Sequence, residues 1–520
     1  GKPVIWANYF RVLISDKLSL EYLVFLFPFF YAALPVSFFD TLVYHLGIPN
    51  LYIQQGGFCA TPQFVYANTS IYYEIAMIPA VFMGKLVPNF FHLFVGVVLL
   101  FAALRFARDY ININKSLLLI ILIISLPVSG FLLTTVKNDL AGALFILAGI
   151  RLLLEERFTA AGVTWGFAVG IKYFNILPLV IFLVLFTIHR KKFPVKRYFY
   201  FSLTFLAALI PLFLKNILYT GNPIFPFLYH LFPHGYWDES RSLMMARDVG
   251  RVCRTWKDFL NLPYDLSFKE LGSGGRVGVQ FLVFLPFMIL LRRRGAASRA
   301  SAAPAPGSAG KMNLLIIFSL LTIFLGCGFT ASIRFLYLPF LILCMFVVWV
   351  YEQRPQRLMK FFMFIILVLN SASSVSMLNL LYNPQALYTQ NMNRDEYIAS
   401  TFPAYAAFRF LERHTPRSSM ILVVGETRNY YLERPYKVSS ALDYSILKPF
   451  LEKADNLDEW LAELRADGID YLLVNFPEFH RLNSQYDRLS TAMQQKALSF
   501  FNRMEPLFQA KGVFIYRIKR

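Results

Sequence analysis

The sequence predicts an α-helical protein that crosses a membrane many times and ends in a small α/β domain. Of its 520 residues, 57% are hydrophobic and only 16% are charged, whereas soluble proteins are about 45–50% apolar and about 25% charged. Long apolar segments recur up to about residue 380, and basic residues concentrate in alternate loops between them. Beyond that point, the composition becomes that of a soluble domain. A soluble enzyme or a disordered chain is therefore excluded.

Apolar segments of sufficient length define the predicted membrane helices. A helix needs about 20 apolar residues to cross the hydrocarbon core of a bilayer, and we predict about 11 such helices. They lie near 20–38, 88–106, 117–133, 140–154, 159–172, 174–188, 198–217, 277–291, 312–330, 333–350 and 360–378. The fifth and sixth are short and predict either a tight hairpin or tilted half-helices. In the fifth, Gly162, Gly166 and Gly170 lie near one helix face and predict close helix packing.

The formal net charge of +20 follows from the orientation of the chain. Lys and Arg are concentrated in the loops that are cytoplasmic if the N-terminus is cytoplasmic, as at 190–197 and 292–299. Membrane proteins carry this basic excess on the cytoplasmic side. We therefore predict a cytoplasmic N-terminus and an outer C-terminal domain, and we expect no nucleic-acid partner. The four cysteines have no CxxC spacing and predict neither a zinc site nor a disulfide scaffold.

The chain divides into a predicted transmembrane domain, 1–380, and a predicted extracytoplasmic α/β domain, 381–520. In the second, strands are predicted at 418–425, 468–475 and 512–519, and a helix at 456–468.

Three loops of the transmembrane domain are distinctive. The first outer loop, 39–87, is rich in Tyr, Phe and Ile and predicts amphipathic helices along the membrane surface. A long outer loop spans 218–276. Residues 292–311 are rich in Ala, Ser, Pro and Gly and predict a flexible cytoplasmic linker.

Eight charged residues outside the cytoplasmic loops fall near outer span ends or in the first outer loop. Ionisable groups at such positions are costly and indicate function. Three acids and five cations in this set predict one polar chamber at the outer interface. They are Asp40, Glu74, Asp139, Lys85, Lys137, Lys172, Lys215 and Arg334.

Three of these residues also have an ordinary structural interpretation. Asp40 could end the first span as a polar stop, although the helix dipole disfavours a carboxylate there. Asp139 could cap the fourth span, and Lys172 could extend to the interface. Arg334, in a short outer turn, suits phosphate geometry. A carboxylate beside such cations fits transfer of a sugar from a lipid phosphate, with the carboxylate as general base.

Several segments, in their order along the chain, resemble the GT-C superfamily of integral membrane glycosyltransferases. The closest resemblance is to bacterial family-39-like enzymes, similar to aminoarabinose transferases and protein O-mannosyltransferases. The segments are FDTLVYHL (39–46), VKNDLAGALF (136–145), GFAVGIKYF (166–174) and YTGNPIFPFLYHLF (219–232). Where many members have two adjacent acids in the first loop, here Thr41 follows Asp40.

The resemblance implies inverting transfer from a polyprenyl-phosphate sugar to a lipid, glycan or protein hydroxyl, on the periplasmic face of a bacterial inner membrane. It implies that no metal or other cofactor is required. The candidate catalytic residues are Asp40, Asp139, Glu74 and His45. The candidate donor-phosphate contacts are Lys137, Lys172, Arg334, Lys85 and Lys215. The candidate acceptor contacts are Asn138, Asn222, Tyr44, Tyr229 and His230.

Two other functions remain open on the sequence. A polysaccharide ligase or polymerase with a diphosphate-linked glycan would use the long outer loop, where Arg241, Arg247, Arg251 and Arg254 lie. A lipid or sugar transporter would need polar residues along a continuous path, whereas the eight charges are predicted at one face. In the motif TGNPIFPF, Gly221, Pro223 and Pro226 also suit a simple turn.

Overall fold

The computed structural model describes residues 27–190, 194–233, 235–272, 275–295, 308–353, 356–390 and 392–518. Residues 20–26 of the first predicted span, 20–38, lie outside these residues, and the described part of the span is helical at 27–32. The predicted linker, 292–311, also lies mostly outside them, but its two borders are helical, because one helix extends to Gly295 and the next begins at Ser308.

Helices occupy each of the other ten predicted spans. Six described helices are long and apolar enough to cross a membrane: Val87–Ile111, Tyr173–Arg190, Val195–Thr220, Gly310–Cys327, Ile333–Gln353 and Arg357–Tyr382. The shorter helices in predicted spans are Ser116–Ser125, Pro127–Thr134, Asp139–Leu154, Phe158–Ile171 and Gln280–Gly295. The chain is thus an integral membrane protein, and the total of eleven spans remains a prediction.

The third predicted span is bent rather than continuous. Its two helices, Ser116–Ser125 and Pro127–Thr134, meet at an angle of 81°. Leu126 between them is extended, with φ −61° and ψ 131°. A residue before proline avoids the helical region, and proline itself fits the first turn of a helix. Pro127 therefore ends one helix and begins the next.

Three glycines of the helix Phe158–Ile171 allow close approach of its neighbours, as predicted. A Cβ atom at Gly162 would lie 2.3 Å from the carbonyl oxygen of Phe201, and one at Gly166 would lie 2.7 Å from that of Phe205. A Cβ atom at Gly170 would meet the ring of Tyr72 at the same 2.3 Å. These helices therefore pack backbone to backbone, which only glycine permits.

The first outer loop is largely helical, as predicted, but the C-terminal part of the chain covers it. Its elements are the π-helical turn Thr41–His45, the helix Gly47–Gln54, the 3₁₀ turn Val65–Asn68 and the helix Tyr72–Met83. Asn50 Nδ2 donates to the carbonyl oxygens of Asn429 and Leu432 at 3.1 Å and 2.9 Å. Tyr436 Oη donates to Gly47 O at 3.1 Å. The loop is thus enclosed between two parts of the protein.

The predicted C-terminal strands and helix are all present in a five-stranded mixed sheet. Its strands are β1 (Ile421–Val424), β2 (Tyr436–Lys437), β3 (Tyr471–Asn475), β4 (Pro506–Ala510) and β5 (Val513–Arg517), in the order β2-β1-β3-β5-β4. β1 pairs in parallel with β2 and β3, and β5 is antiparallel to β3 and β4. The sequence prediction missed β2, which has two residues, and β4, which is mostly exposed.

The remaining helices lie in the long outer loop and around the sheet. They are Glu239–Val249, Trp256–Phe268, Pro384–Tyr388, Arg394–Thr401, Tyr405–His414, Lys448–Lys453, Leu457–Ala466, Phe476–Tyr486 and Thr491–Phe501.

The two faces of the sheet pack against different cores because strand side chains alternate. Ile421 and Val423 of β1 join a core shared with the first outer loop. Leu422 and Val424 face a second core with the surrounding C-terminal helices. The first of these cores fixes the first outer loop, which carries Asp40, against the sheet.

Candidate active site

Five charged side chains from four separate segments meet in one buried cluster, which we call the charge cluster: Asp40, Lys137, Asp139, Lys172 and Arg334. Asp40 directly precedes the π-helical turn, and Asp139 begins the helix Asp139–Leu154. Lys172 ends the helix Phe158–Ile171, and Arg334 lies in the 3₁₀ turn Ile333–Leu336. Helix ends therefore place every member at one end of the bundle.

Two ion-pair sets build the charge cluster. Asp40 Oδ2 accepts from Lys137 Nζ at 2.7 Å and from Arg334 Nη2 at 2.8 Å. Asp139 Oδ1 accepts from Lys172 Nζ at 2.6 Å. Arg334 joins the sets, because its Nε lies 3.9 Å from Asp139 Oδ2. With two carboxylates and three cations, the five residues carry a net charge of +1.

Aromatic rings hold the cations in place. Lys137 Nζ lies 4.0 Å from the centre of the Phe38 ring, and Lys172 Nζ lies 3.3 Å from that of Phe335. A cation over a ring face is stabilised, especially when it is removed from water. The Lys137 side chain is 0% exposed, whereas that of Asp40 is 22% exposed. Asp40 is thus the more accessible member of this pair.

The hydrogen-bonding capacity of the charge cluster is only partly used. Arg334 Nε and Nη1 and Asp139 Oδ2 are buried without a hydrogen-bond partner among the described residues. Buried polar groups in folded proteins are nearly always paired. Arg334 Nε and Nη1 could therefore still donate hydrogen bonds to a polar ligand.

The ionisation of Asp40 follows from its neighbours. Burial by itself raises the pKa of Asp40, but the adjacent Lys137 and Arg334 cations outweigh that effect and hold it well below its usual range. Asp40 is therefore ionised at neutral pH.

The structure does not show a polar stop at Asp40 or a capping hydrogen bond at the Asp139 helix. Asp40 does not end a helix: it has helical dihedrals, φ −58° and ψ −37°, at the start of the next turn. At the Asp139 helix, the N-cap residue Asn138 makes no capping hydrogen bond, and Asp139 instead pairs with Lys172. The π-helical turn is itself notable, because such turns concentrate at functional sites.

A second buried polar group lies beside the charge cluster. His45 Nδ1 and Glu74 Oε1 are 2.7 Å apart. Asn138 Nδ2 donates to Ile171 O at 3.1 Å and to Glu74 Oε1 at 3.4 Å. Among the described residues, none of these three side chains forms a hydrogen bond or ion pair with the five charges.

Tyr44 lies in the π-helical turn that follows Asp40, and its ring stacks on Tyr66 at a centroid distance of 4.5 Å. Both rings are half-buried. Sequence reasoning missed Tyr66, because no charge or motif distinguishes it within the first outer loop.

The expectation that all eight charges form one chamber is only partly correct. Lys85 Nζ instead lies 3.2 Å from Glu433 Oε1, at the border with the C-terminal region. Lys215 Nζ donates to Ala67 O and to Asn216 Oδ1. The structure thus places Lys85 and Lys215 on other partners, where they fix loops.

The motif 219–232 forms a turn with hydrogen bonds of its own. Asn222 Nδ2 donates to Phe227 O at 2.8 Å, and its Oδ1 accepts from Ile224 N at 3.0 Å. The Tyr229 and His230 rings stack on each other at 3.8 Å. Asn222 therefore stabilises the turn, as the structural interpretation expects, and the acceptor role of Tyr229 and His230 stays a prediction.

Arg241 of the long outer loop is a buried structural residue. Its guanidinium donates to Tyr486 O at 2.7 Å and to Asp487 O at 2.9 Å. These carbonyls belong to the end of the helix Phe476–Tyr486. This contact removes Arg241 from the set that a ligase would use.

Asp443 of the C-terminal region fixes the turn that carries Tyr66. Its Oδ2 accepts from Val65 N at 3.0 Å and from Ser440 N at 3.1 Å. The other end of the same turn is held by Lys215 at Ala67 O. A carboxylate at the amino end and a cation at the carboxyl end both match the polarity of the peptide dipoles.

Asp443 gives the fold a testable pH dependence. Burial raises the pKa of Asp443 to about 6, from about 3.9 in an unfolded chain. The folded state then holds the proton to higher pH, so the contribution of Asp443 to stability is greatest below about pH 4 and is lost as pH rises through about 6, amounting to ~3 kcal/mol. Asp443→Asn should flatten this slope in thermal unfolding curves, whereas exposed Asp455→Asn should not. Equal slopes in all three proteins would contradict this assignment.

Among the described residues, no group of three or more His, Cys, Asp or Glu side chains could hold a metal ion.

Comparison with solved structures identifies the fold. The chain matches the crystal structure of ArnT from Cupriavidus metallidurans bound to undecaprenyl phosphate with a TM-score of 0.56 and 12% identity, over 100% of this chain and 99% of that one. The apo structure of ArnT matches with a TM-score of 0.54 and 14% identity, over 99% and 98%. This chain has the ArnT fold. The similarity extends over nearly the whole length of both chains. No family model and no curated protein sequence matches.

Proposed function

We propose that this chain is an inverting glycosyltransferase that moves a sugar from a polyprenyl-phosphate donor to an acceptor hydroxyl at the outer membrane–water interface. The observation that carries the proposal is the charge cluster, with its excess of one positive charge and its unpaired Arg334 nitrogens. The similarity to ArnT, which was crystallised with bound undecaprenyl phosphate, supports a donor of this class.

The charge cluster suits a phosphodiester in both charge and geometry. A lipid-phosphate sugar carries one negative charge, which balances the net +1 of the five residues. The guanidinium of Arg334, a group that suits phosphate oxygens, has two nitrogens, Nε and Nη1, without hydrogen-bond partners. Lys137 and Lys172 flank it as point charges. This set would hold the donor phosphate and offset the charge that develops as it leaves.

In this proposal, Asp40 serves as the general base. In the proposed step, the acceptor oxygen attacks the anomeric carbon while its proton passes to Asp40. The bond from that carbon to the phosphate oxygen breaks, and polyprenyl phosphate leaves. The new glycosidic bond has inverted configuration, since there is one displacement.

Donor binding would also adjust the basicity of Asp40. Lys137 and Arg334 hold the carboxylate in the free enzyme, which makes it a weak base. A bound phosphate competes for the same two cations. As they turn to the phosphate, the pKa of Asp40 rises towards its usual range, so the base becomes effective only when the donor is present.

The other elements of the proposal follow the same chemistry. Because cations neutralise the phosphate, no divalent metal is required. The acceptor is a lipid, glycan or protein hydroxyl, and Tyr44 and Asn138 remain proposed substrate contacts. His45 and Glu74 position the first outer loop, and Asp139 orients Lys172. The C-terminal region, 381–520, lies on the periplasmic side of the bacterial inner membrane.

The direct test is transfer by the purified protein in detergent. Polyprenyl-phosphate sugars and polyprenyl-diphosphate sugars are offered with lipid and peptide hydroxyl acceptors, with and without EDTA, and the products are followed by mass spectrometry and NMR. We expect release of polyprenyl phosphate, an inverted linkage and no effect of EDTA. Transfer only from the diphosphate donor, or with retention, would contradict the proposal.

A further inference from the structure

A small basic cavity lies at the opposite end of the helix bundle from the charge cluster. The helix Asp139–Leu154 begins at the charge cluster, and its 16 residues extend about 24 Å. The chain then returns in Phe158–Ile171 and descends again in Ile176–Arg190. The cavity, about 280 Å³ in volume, is lined by Glu156, Phe158, Phe186, Arg190, Pro194, Arg197 and Tyr198.

Two arginines converge on one carboxylate in this cavity. Arg190 Nη2 and Arg197 Nη1 each donate to a different oxygen of Glu156. Among the described residues, no second acid contacts either arginine. The neighbouring carboxylate, Glu155, pairs instead with Arg151 and Arg157. The three groups thus carry a net charge of +1 and retain free guanidinium donors.

Aromatic rings orient both guanidinium groups towards the cavity. The guanidinium carbon of Arg190 lies 5.7 Å from the centre of the Phe186 ring, and that of Arg197 lies 5.9 Å from that of Phe158. Such stacking reduces the freedom of an arginine while leaving its edge available for hydrogen bonds. Glu156 has φ +59°, a conformation uncommon outside glycine, and the strain indicates that its position is imposed by its surroundings.

Exposed apolar side chains lead away from the basic cavity along two helices. Val180, Val184 and Ile188 follow one face of the helix Ile176–Arg190, and Val195, Phe199 and Leu203 follow one face of Val195–Thr220. Their spacing of about four residues places each set in a single stripe. In a membrane protein, such stripes face acyl chains.

We propose that the basic cavity binds the phosphate of an anionic membrane lipid, with Arg190 and Arg197 as donors and the acyl chains along the two apolar stripes. Basic pockets between membrane helices bind anionic head groups in this way. The adjacent stripes favour a lipid over a free phosphate ion. Glu156 occupies part of the guanidinium capacity in the absence of the lipid.

Binding can be measured without any transferase assay, so its failure is distinct from failure of the proposed function. The purified full-length chain is placed in nanodiscs of mixed phosphatidylglycerol and phosphatidylcholine, and retained lipids are counted by native mass spectrometry. Wild-type protein is expected to retain phosphatidylglycerol in preference to phosphatidylcholine. Arg190→Gln/Arg197→Gln should retain at least about tenfold less, since each surface cation contributes appreciably to anionic-lipid attraction.

Two further variants make the result decisive. Arg105→Gln/Arg108→Gln, which removes two arginines elsewhere, should behave as wild type. Glu156→Gln removes the internal competitor and should increase retention of phosphatidylglycerol, an effect that misfolding would not produce. Equal retention by wild type and the Arg190/Arg197 variant, no gain with Glu156→Gln, or displacement by millimolar inorganic phosphate would overturn the proposal.

Discussion

Asp40→Asn is expected to lower the rate of sugar transfer by about 10²–10⁴-fold, the usual contribution of a positioned general base. Asparagine is nearly isosteric and still accepts hydrogen bonds from Lys137 and Arg334, but it cannot take a proton. Removing one negative charge changes the net charge of the five residues from +1 to +2. Binding of polyprenyl phosphate should therefore be retained or become tighter while turnover is lost.

Measurement of kcat and of polyprenyl-phosphate affinity on the same preparations separates these two effects. Asp455→Asn is the matched control, because the Asp455 side chain is 99% exposed. Since Asp40 is already ionised at neutral pH, the ratio of mutant to wild-type rates should not vary across that range. Full activity of the folded variant would exclude Asp40 as the base.

Arg334→Gln is expected to abolish donor binding and to destabilise the fold. Arg334 approaches both Asp40 and Asp139, and its loss leaves two buried carboxylates with one lysine each. Removing one partner from a buried ion pair costs about 3–5 kcal/mol. We therefore expect a lower midpoint of thermal unfolding in detergent and loss of polyprenyl-phosphate binding.

A double-variant comparison distinguishes these contributions. Asp40 and Arg334 are in direct contact, so the stability costs of Arg334→Gln and Asp40→Asn should not add in the double variant, which should remain inactive. Arg481→Gln, which breaks a partly exposed pair with Glu478, should cost no more than about 1 kcal/mol. Unchanged donor binding in a stable Arg334→Gln variant would remove Arg334 from the proposed phosphate site.

The structure also reassigns residues that looked equivalent in the sequence. Lys85, Lys137, Lys172 and Lys215 all follow or interrupt apolar runs. Two of them reach carboxylates of the charge cluster, and the other two fix the surrounding loops. Hydropathy locates a charge near a helix end, but the rotation of that helix decides what the charge contacts.

The sequence by itself determined the helical membrane architecture and the short list of charges at one end of the bundle. Both follow from local physics: a backbone in lipid must satisfy its own hydrogen bonds, and an ionisable group near hydrocarbon is costly. The C-terminal strands and the glycine-rich helix contact were also predictable, because short apolar runs and the spacing of glycines are local features of the sequence.

Only the tertiary structure decided which charges meet. Asp40 and Arg334 are 294 residues apart in sequence and 2.8 Å apart in space, and no local pattern encodes that distance. The same holds for Asp443, whose carboxylate fixes Val65 across 378 residues. Contacts between residues distant in sequence depend on how the helices pack and how each is rotated. Which charged residues contact one another is therefore known only from the complete helix bundle.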